Sequence, residues 1–365
     1  MKAKSLLVTS ILLTSYMAQA QGTTAVNSIS VNGVLNPTYY TGADIGAQVN
    51  TAFAALAPTG GTVRIPSGVY KFSTTINHPG SQYKLECDAG TTLYYTGSTS
   101  AIAIPTASTT PVSVTGPGGN ATIDGIGGCI LDGSKAASGA NGVHILFSSG
   151  VIVKDIQIQN FGNNSGNIGN GIFIDGANTV ELTNLQVRAN TYGIYMQQSN
   201  AIHLSKSGIA GNSTYGLYSS PSSGGWSWGN VYRDNVFESN GVGDILLDNN
   251  DAASLIEGDY FEGSEAFIML GVTQNVWGVN VRDNIFVQFG ANPPIEVGWG
   301  NGFNLYENTV EVQNPSTCFI NIIHANANGS FSLNHRGVGT TTILGNIATV
   351  HEAEWCAQGT PTTTP

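Results

Sequence analysis

The chain has 365 residues, of which only 10% are charged, with a formal net charge of −11 and 47 glycines. That balance argues against a nucleic-acid binder, which needs a basic footprint, and mildly against a polyanionic partner unless a cation bridges the two. With 41% hydrophobic residues and sparse charge the chain should fold rather than stay disordered; its many Gly, Asn, Ser and Thr residues, poor helix formers, point to an all-β protein rich in turns.

Lys2 and Lys4 precede an apolar run from Leu6 to Met17, and Ala18-Gln19-Ala20 offers a small-residue cleavage site. This pattern predicts a secretory signal peptide over residues 1–20 and an exported chain, extracellular or periplasmic. No later stretch is apolar enough over a bilayer's thickness, so no membrane partner is expected. Residues 21–40 read as a lead-in segment, 41–357 as one domain and 358–365 as a Thr/Pro-rich tail. Among the four cysteines, Cys87 with Cys129 and Cys318 with Cys356 are the local pairings; unpaired buried thiols are equally open.

Within TGADIGAQVNTAFAALAPTGG, residues Ile45, Val49, Phe53 and Leu56 fall at helical spacing. Asp44 is placed to cap that helix, and Pro58 and Gly60-Gly61 end it. GTVRIPSGVYKF then reads as strand, turn and strand.

From Asn141 onward the chain repeats. NGVHILF, NGIFID, GIYMQ, GLYSS, GDILLD, AFIML, PIEVG and CFINI superpose at intervals of roughly 22 to 29 residues. Most alternate apolar with other residues, the period of a strand with one buried face. A second column follows: Asp155, Asn184, Ser207, Asn235, Asp259, Asn284 and Asn308, at intervals of 29, 23, 28, 24, 25 and 24. In a solenoid of stacked parallel strands, equivalent residues lie about 4.8 Å apart. Such side chains can then hydrogen-bond from coil to coil and satisfy buried turn groups. Two of these rungs sit in the repeated triplet Arg233-Asp234-Asn235 and Arg282-Asp283-Asn284, whose Arg and Asp read as turn-flanking surface charges.

The helix followed by GGTVRIPSGVY, the early segment TIDGIGGCILDG at 122–133 and the repeats from 141 to about 347 together resemble the pectate-lyase-like, or glycosyl hydrolase 28-related, superfamily. The resemblance implies an all-β, right-handed parallel β-helix with three sheets per coil and an N-terminal α-helix capping the core. It implies action on a polysaccharide by hydrolysis or elimination, or a non-catalytic glycan-binding or adhesion role, since one fold hosts many chemistries. The polygalacturonase motifs (Asn-Thr-Asp, Asp-Asp, Gly-His-Gly, Arg-Ile-Lys), the Tyr-Gly-Phe-Asp-Pro-His run of alginate epimerases and the acidic calcium cluster of pectate lyases are all missing. No family residue therefore carries over.

If Ile172 and Ile174 point inward, His144, Phe173, Tyr195, Tyr218, Leu246 and Glu296 form one outward column. Leu146, Asp175, Gln197, Ser220, Asp248 and Gly298 form its neighbour. The aromatic stripe suits sugar rings, and Gln197 their hydroxyls. Trp226 and Trp228 in SPSSGGWSWGN, and Trp299 in VGWGNG, are further stacking candidates, and Arg233 a polar one. Glycosidic hydrolysis needs two carboxyls. Asp248 and Glu296, two coils and on the order of 10 Å apart, are the expected acid and base, with Asp175 a third candidate farther down. Hydrolysis would need no cofactor. Elimination would use Ca²⁺, with Arg188, Lys206 or Arg233 as base; Asp248, Asn250 and Asp251 in DNNDAAS are oxygen ligands at close spacing, but they lack the full spacing of a calcium loop, so the stretch reads as an Asn-rich turn and no metal site is assigned. The expected partner is a polysaccharide, and the assembly a monomer or homotrimer.

Overall fold

A computed structural model describes residues 33–312 except 58, 81, 105–120, 163–167, 221–224, 249 and 289–292, followed by strand backbone at 320–322, 328–332, 335–338, 342–344 and 355–357. The expected signal peptide, the tail and Cys318 lie outside the described residues, as does the side chain of Cys356.

The architecture is a parallel β-solenoid with one α-helix. An 11-stranded sheet, here the short sheet, takes one strand from each coil in order from Ile76–Asn77 to Trp355–Ala357. The remaining strands form a 25-stranded sheet that turns a corner within each coil. In one coil the chain runs through Tyr192–Gln197 in the short sheet, then Asn200–Ser205 and Gly208–Ala210 in the large one. The corner between those last two is a single residue at positive φ: Lys206 here, and Asp155, Asn184, Asp234 and Asp283 in other coils. Left-handed backbone at every corner explains the recurrence of short polar residues there, since Asn and Asp tolerate it best after glycine.

The residue after the corner faces inward and builds the ladder. The backbone N–H of Ser207 donates to Asn235 Oδ1 (3.1 Å), that of Asn235 to Asp259 Oδ1 (2.7 Å), that of Asp259 to Asn284 Oδ1 (2.9 Å) and that of Asn284 to Asn308 Oδ1 (3.2 Å). The first two expected members do hydrogen-bond from coil to coil, Asn184 Nδ2 donating to Asp155 Oδ1 (2.6 Å), but their place is corrected. Asp155 and Asn184 sit one residue earlier, on the left-handed corner, and the rung beneath Ser207 is Leu185, whose N–H donates to Ser207 Oγ (3.0 Å). Corner and rung draw on the same short polar residues, so sequence spacing alone slips between them. The repeated Arg-Asp-Asn triplet is structural too: Arg233 and Arg282 pair with Glu257, which lies between them in register.

A second ladder escaped the sequence reading. The Nδ2 group of Asn190 donates to Asn212 Oδ1 (3.1 Å) and that of Asn212 to Asn240 Oδ1 (2.9 Å), at the corner leading back into the short sheet. This ladder accounts for the glycines Gly171, Gly193 and Gly216 that open the repeats beside it. A Cβ on Gly193 would stand 2.4 Å from the Gly216 carbonyl oxygen and 2.9 Å from Asn212 Nδ2, closer than any side chain tolerates.

Helix Ile45–Leu56 caps the open end as expected. Its buried face is Ile45, Val49, Ala52, Phe53 and Leu56, and Asp44 Oδ1 accepts the Ala47 N–H (2.9 Å). The other Asp44 oxygen accepts Ser73 and Thr74 N–H groups, tying the cap to the first coil. Residues 33–40, read as the end of a lead-in, are folded: Val34–Leu35 pairs with Gly61–Ile65, because Leu35 buries its side chain in the core.

Cys87 and Cys129 form a disulfide across 42 residues of chain. Closing a loop of that length removes unfolded-state entropy worth about 2–4 kcal/mol. Reduction, or Cys87→Ala with Cys129→Ala, should therefore lower the denaturant midpoint measurably without changing the far-ultraviolet spectrum of the folded state.

Candidate functional site

The inward residues of the short sheet, Val143, Ile145, Ile172, Ile174, Ile194, Met196, Leu217, Ile245, Leu247, Ile295 and Val297, are fully buried, as the alternation predicts. Their outward neighbours align as His144, Phe173, Tyr195, Tyr218, Leu246, Met269, Glu296 and Asn321. The first four rings stack: His144 on Phe173 at 4.7 Å, Phe173 on Tyr195 at 5.3 Å, and Tyr195 edge-on to Tyr218 at 5.5 Å.

Two further tyrosines widen this stripe into a platform. Tyr192 lies 5.3 Å from Tyr195, and Tyr215 5.2 Å from Tyr218, with Tyr192 and Tyr215 stacked at 6.3 Å. Strict alternation misses them because Gly193 and Ile194 both face inward, leaving Tyr192 and Tyr195 on the same outer face three residues apart. The signal was available in the residue before each repeat's glycine: Asn141, Asn170, Tyr192 and Tyr215.

Hydrogen bonds fix part of the platform. Gln197 Nε2 donates to Tyr195 Oη (3.0 Å), which donates to Ser220 Oγ (2.9 Å). Burial raises the phenol pKa values of Tyr192, Tyr215 and Tyr218. Tyr215 is pushed up to about 12, chiefly by burial, with Tyr218, Tyr192, Asp248 and Glu296 adding to it. These phenols are hydrogen-bond donors at neutral pH, not bases. Glu296 is half-buried; burial raises its carboxyl above the usual range, against a hydrogen bond with Asn321 that lowers it. Asp175, also half-buried, is raised by burial alone.

Asp248 has a different role from the one expected. It is 2% exposed, and its carboxyl accepts the N–H groups of Thr273 (2.7 Å) and Gln274 (2.8 Å) and the Thr273 hydroxyl (2.7 Å). The register was read correctly, but the side chain turns into the neighbouring coil's loop. Asp248 is a loop anchor, which corrects its assignment as a free acid or base beside Glu296. Asp175 and Glu296 stand five strands apart in the short sheet, roughly 24 Å at the strand spacing, and do not form a pair.

The other predicted residues scatter. Trp226 and Trp228 lie past the short-sheet strand ends, on the corner that leads into the large sheet. Trp299 is half-buried in the turn after Ile295–Val297, its N–H donating to Gly271 O. Arg233, paired with Glu257, and Arg188, bonded to Gln159, stand on the large sheet, and Lys206 occupies a corner. Arg233 is therefore not beside the aromatic stripe, which corrects its place among the substrate-binding candidates. The DNNDAAS cluster is consumed internally: Asp251 Oδ1 accepts from Ser219, and Asn250 donates to Gly225 O. Among the described residues, no group of three or more His, Cys, Asp or Glu could hold a metal ion.

The family model for the right handed beta helix region matches residues 170–353. Among solved structures, DFA-IIIase from Arthrobacter chlorophenolicus A6 superposes with a TM-score of 0.65 at 12% identity, over 84% of this chain and 85% of that one. Alginate lyase from Paenibacillus sp. str. FPU-7 superposes with a TM-score of 0.56 at 16% identity, over 81% of this chain and 98% of that one. No curated protein matches the sequence. Together with the stacked parallel strands and their polar ladders, the match over half the chain identifies this protein as a member of the right-handed β-helix family.

Proposed function

We propose that the chain is an exported enzyme that hydrolyses glycosidic bonds of a polysaccharide bound along the outer face of the short sheet, with Glu296 protonating the departing oxygen and its carboxylate recovering a proton from the water that adds to the anomeric carbon, a single-acid scheme in place of the expected Asp248 and Glu296 pair. The observation that carries this reading is a half-buried carboxyl, raised by its burial, electrostatically coupled to Tyr215 at the end of a four-tyrosine platform. Sugar rings present apolar faces to aromatic rings, and protonated phenols and Gln197 offer donors to hydroxyls. A carboxyl whose pKa is raised by burial is suited to protonate a glycosidic leaving group. Hydrolysis is favoured over elimination because the tyrosines are poor bases and the cationic side chains Arg188, Lys206 and Arg233 stand off the platform. The neighbours' names, an alginate lyase and a DFA-IIIase crystallised with DFA-III, support carbohydrate chemistry on this scaffold.

The test is a screen of neutral and acidic polysaccharides, with and without Ca²⁺, following reducing ends and the near-ultraviolet absorbance of unsaturated uronates together. New reducing ends without absorbance are expected. Ca²⁺-dependent absorbance would replace hydrolysis by elimination, and glycan binding without any product would leave a non-catalytic binder.

A further inference from the structure

The tryptophans that lie off the platform form a site of their own. Trp228 sits above Asn200, whose Oδ1 accepts the Trp228 N–H (2.9 Å). The next positions in that column are Ala252, Trp277 and Asn301. The small Ala252 leaves room between Trp228 and Trp277, and Trp226 lies against both: it stacks on Trp277 (5.2 Å, 22°) and meets Trp228 at a steep angle (5.9 Å, 66°). Backbone anchors hold this arrangement, with Ser227 fully buried and Asn250 Nδ2 donating to Gly225 O. Even so, Trp226 remains 48% and Trp228 53% exposed. Two indoles braced at a steep angle border an open, shallow cleft of about 370 Å³ lined by Trp226, Trp228 and Asn200.

We infer that this cleft is a second glycan-binding site, separate from the tyrosine platform and specific for a neutral sugar chain. Its volume lies at the lower end of the range for small-ligand clefts, ~300–1,000 Å³, and suits a short stretch of glycan. One indole offers a flat face for a sugar ring, and the other a wall beside it. Because Asn200 Oδ1 is engaged by Trp228, the amide retains its NH₂ group as donor to a hydroxyl. Among the described residues no cation lines the cleft, and the chain carries a net charge of −11, so a uronate polymer is disfavoured. The cleft lies just past the ends of the strands that carry Tyr195 and Tyr218 and follows them in the chain, so it can anchor a long polymer whose other segment lies on the platform. The inference does not depend on that polymer being cleaved.

The test is native electrophoresis of the full chain in gels containing a mixed-linkage β-glucan, a xylan, a galactomannan or a levan, with polygalacturonate as the acidic comparison. Retardation by at least one neutral polymer is expected, weakened tenfold or more by Trp226→Ala with Trp228→Ala and retained by Trp226→Phe with Trp228→Phe. Tryptophan emission of the unmodified protein should shift on adding the same polymer, a readout independent of any variant's folding. No retardation in any neutral gel would overturn the inference, as would equal retardation of the alanine variant. A dimer in sedimentation that the alanine variant converts to monomer would overturn it in favour of a second copy of the chain. Failure of the catalytic reading would appear instead as missing product with the tryptophan-dependent retardation intact.

Discussion

Glu296→Gln is expected to lower product formation at least ~100-fold, the usual contribution of a positioned general acid, while leaving the thermal midpoint and retardation on the polymer unchanged. Gln keeps the shape and the hydrogen-bonding capacity toward Asn321 but cannot give up a proton. Asp175→Asn is the matched comparison, because Asp175 is likewise half-buried and raised by burial but stands five strands away. If Asp175→Asn abolishes the reaction and Glu296→Gln does not, the proton donor is Asp175 and the assignment fails. Asp248→Ala separates anchoring from chemistry: it removes three hydrogen bonds to Thr273 and Gln274, so lost activity should come with lost protection of that loop in hydrogen exchange.

The pH profile follows from the same residue. A general acid works in its protonated form, so the rate should fall as pH rises through the Glu296 pKa. Burial lifts that pKa, moving the alkaline limb above the ordinary carboxylate range. The bond from Asn321 favours the ionised form, so Asn321→Ala should move the limb to still higher pH. A limb that stays in place in this variant would dissociate it from Glu296.

How much of this was legible depends on what each residue's period records. The coil register came through because inward apolar residues recur with the strands, and the predicted column from His144 to Glu296 is aligned strand by strand, although Leu246 within it is buried. The tyrosine platform was half legible: Tyr195 and Tyr218 obey alternation, whereas Tyr192 and Tyr215 depend on a local break that only the glycine column reveals. The fate of Asp248 was not legible at all. Its acceptors' partners lie 25 and 26 residues away, in a loop whose approach no spacing encodes. Arg233 illustrates the same limit, since facing outward does not say from which sheet. Sequence repeats report where a side chain sits in its coil; its partners are set by loops that do not repeat.

The ladder itself yields the largest stability effect. Asp259→Asn should stabilise the protein at pH 8 and leave it nearly unchanged near pH 4. Asp259 is 1% exposed, and its Oδ1 accepts both the N–H and the Nδ2 group of Asn235. Neighbouring asparagine rungs use Nδ2 to donate to a strand carbonyl of an earlier coil: Asn235 to Leu204 O, Asn284 to Ile256 O and Asn308 to Val281 O. Asp259 Oδ2 occupies the corresponding place, is enclosed, and has no partner. Only the protonated acid can donate there. Burial, reinforced by Asp234 and Glu257, accordingly raises its pKa from 3.8 to about 8 despite the Asn235 bonds. Asp244, enclosed at the end of the second ladder with Oδ2 also unpartnered, is raised by burial to about 8 as well. The folded state thus holds protons that the unfolded state releases above its ordinary carboxylate pKa. Their contribution to stability is fully present below about pH 4 and is lost progressively as pH rises to about 8, at about 1.4 kcal/mol per pH unit for each acid. Asparagine supplies the missing donor at every pH, so Asp259→Asn should flatten half of this slope, and Asp259→Asn with Asp244→Asn nearly all of it. Denaturant midpoints measured at several values between pH 4 and pH 9 decide the matter. A wild-type midpoint that rises with pH across this window would mean that both carboxyls ionise in place, and the ladder would then need a donor other than their protons.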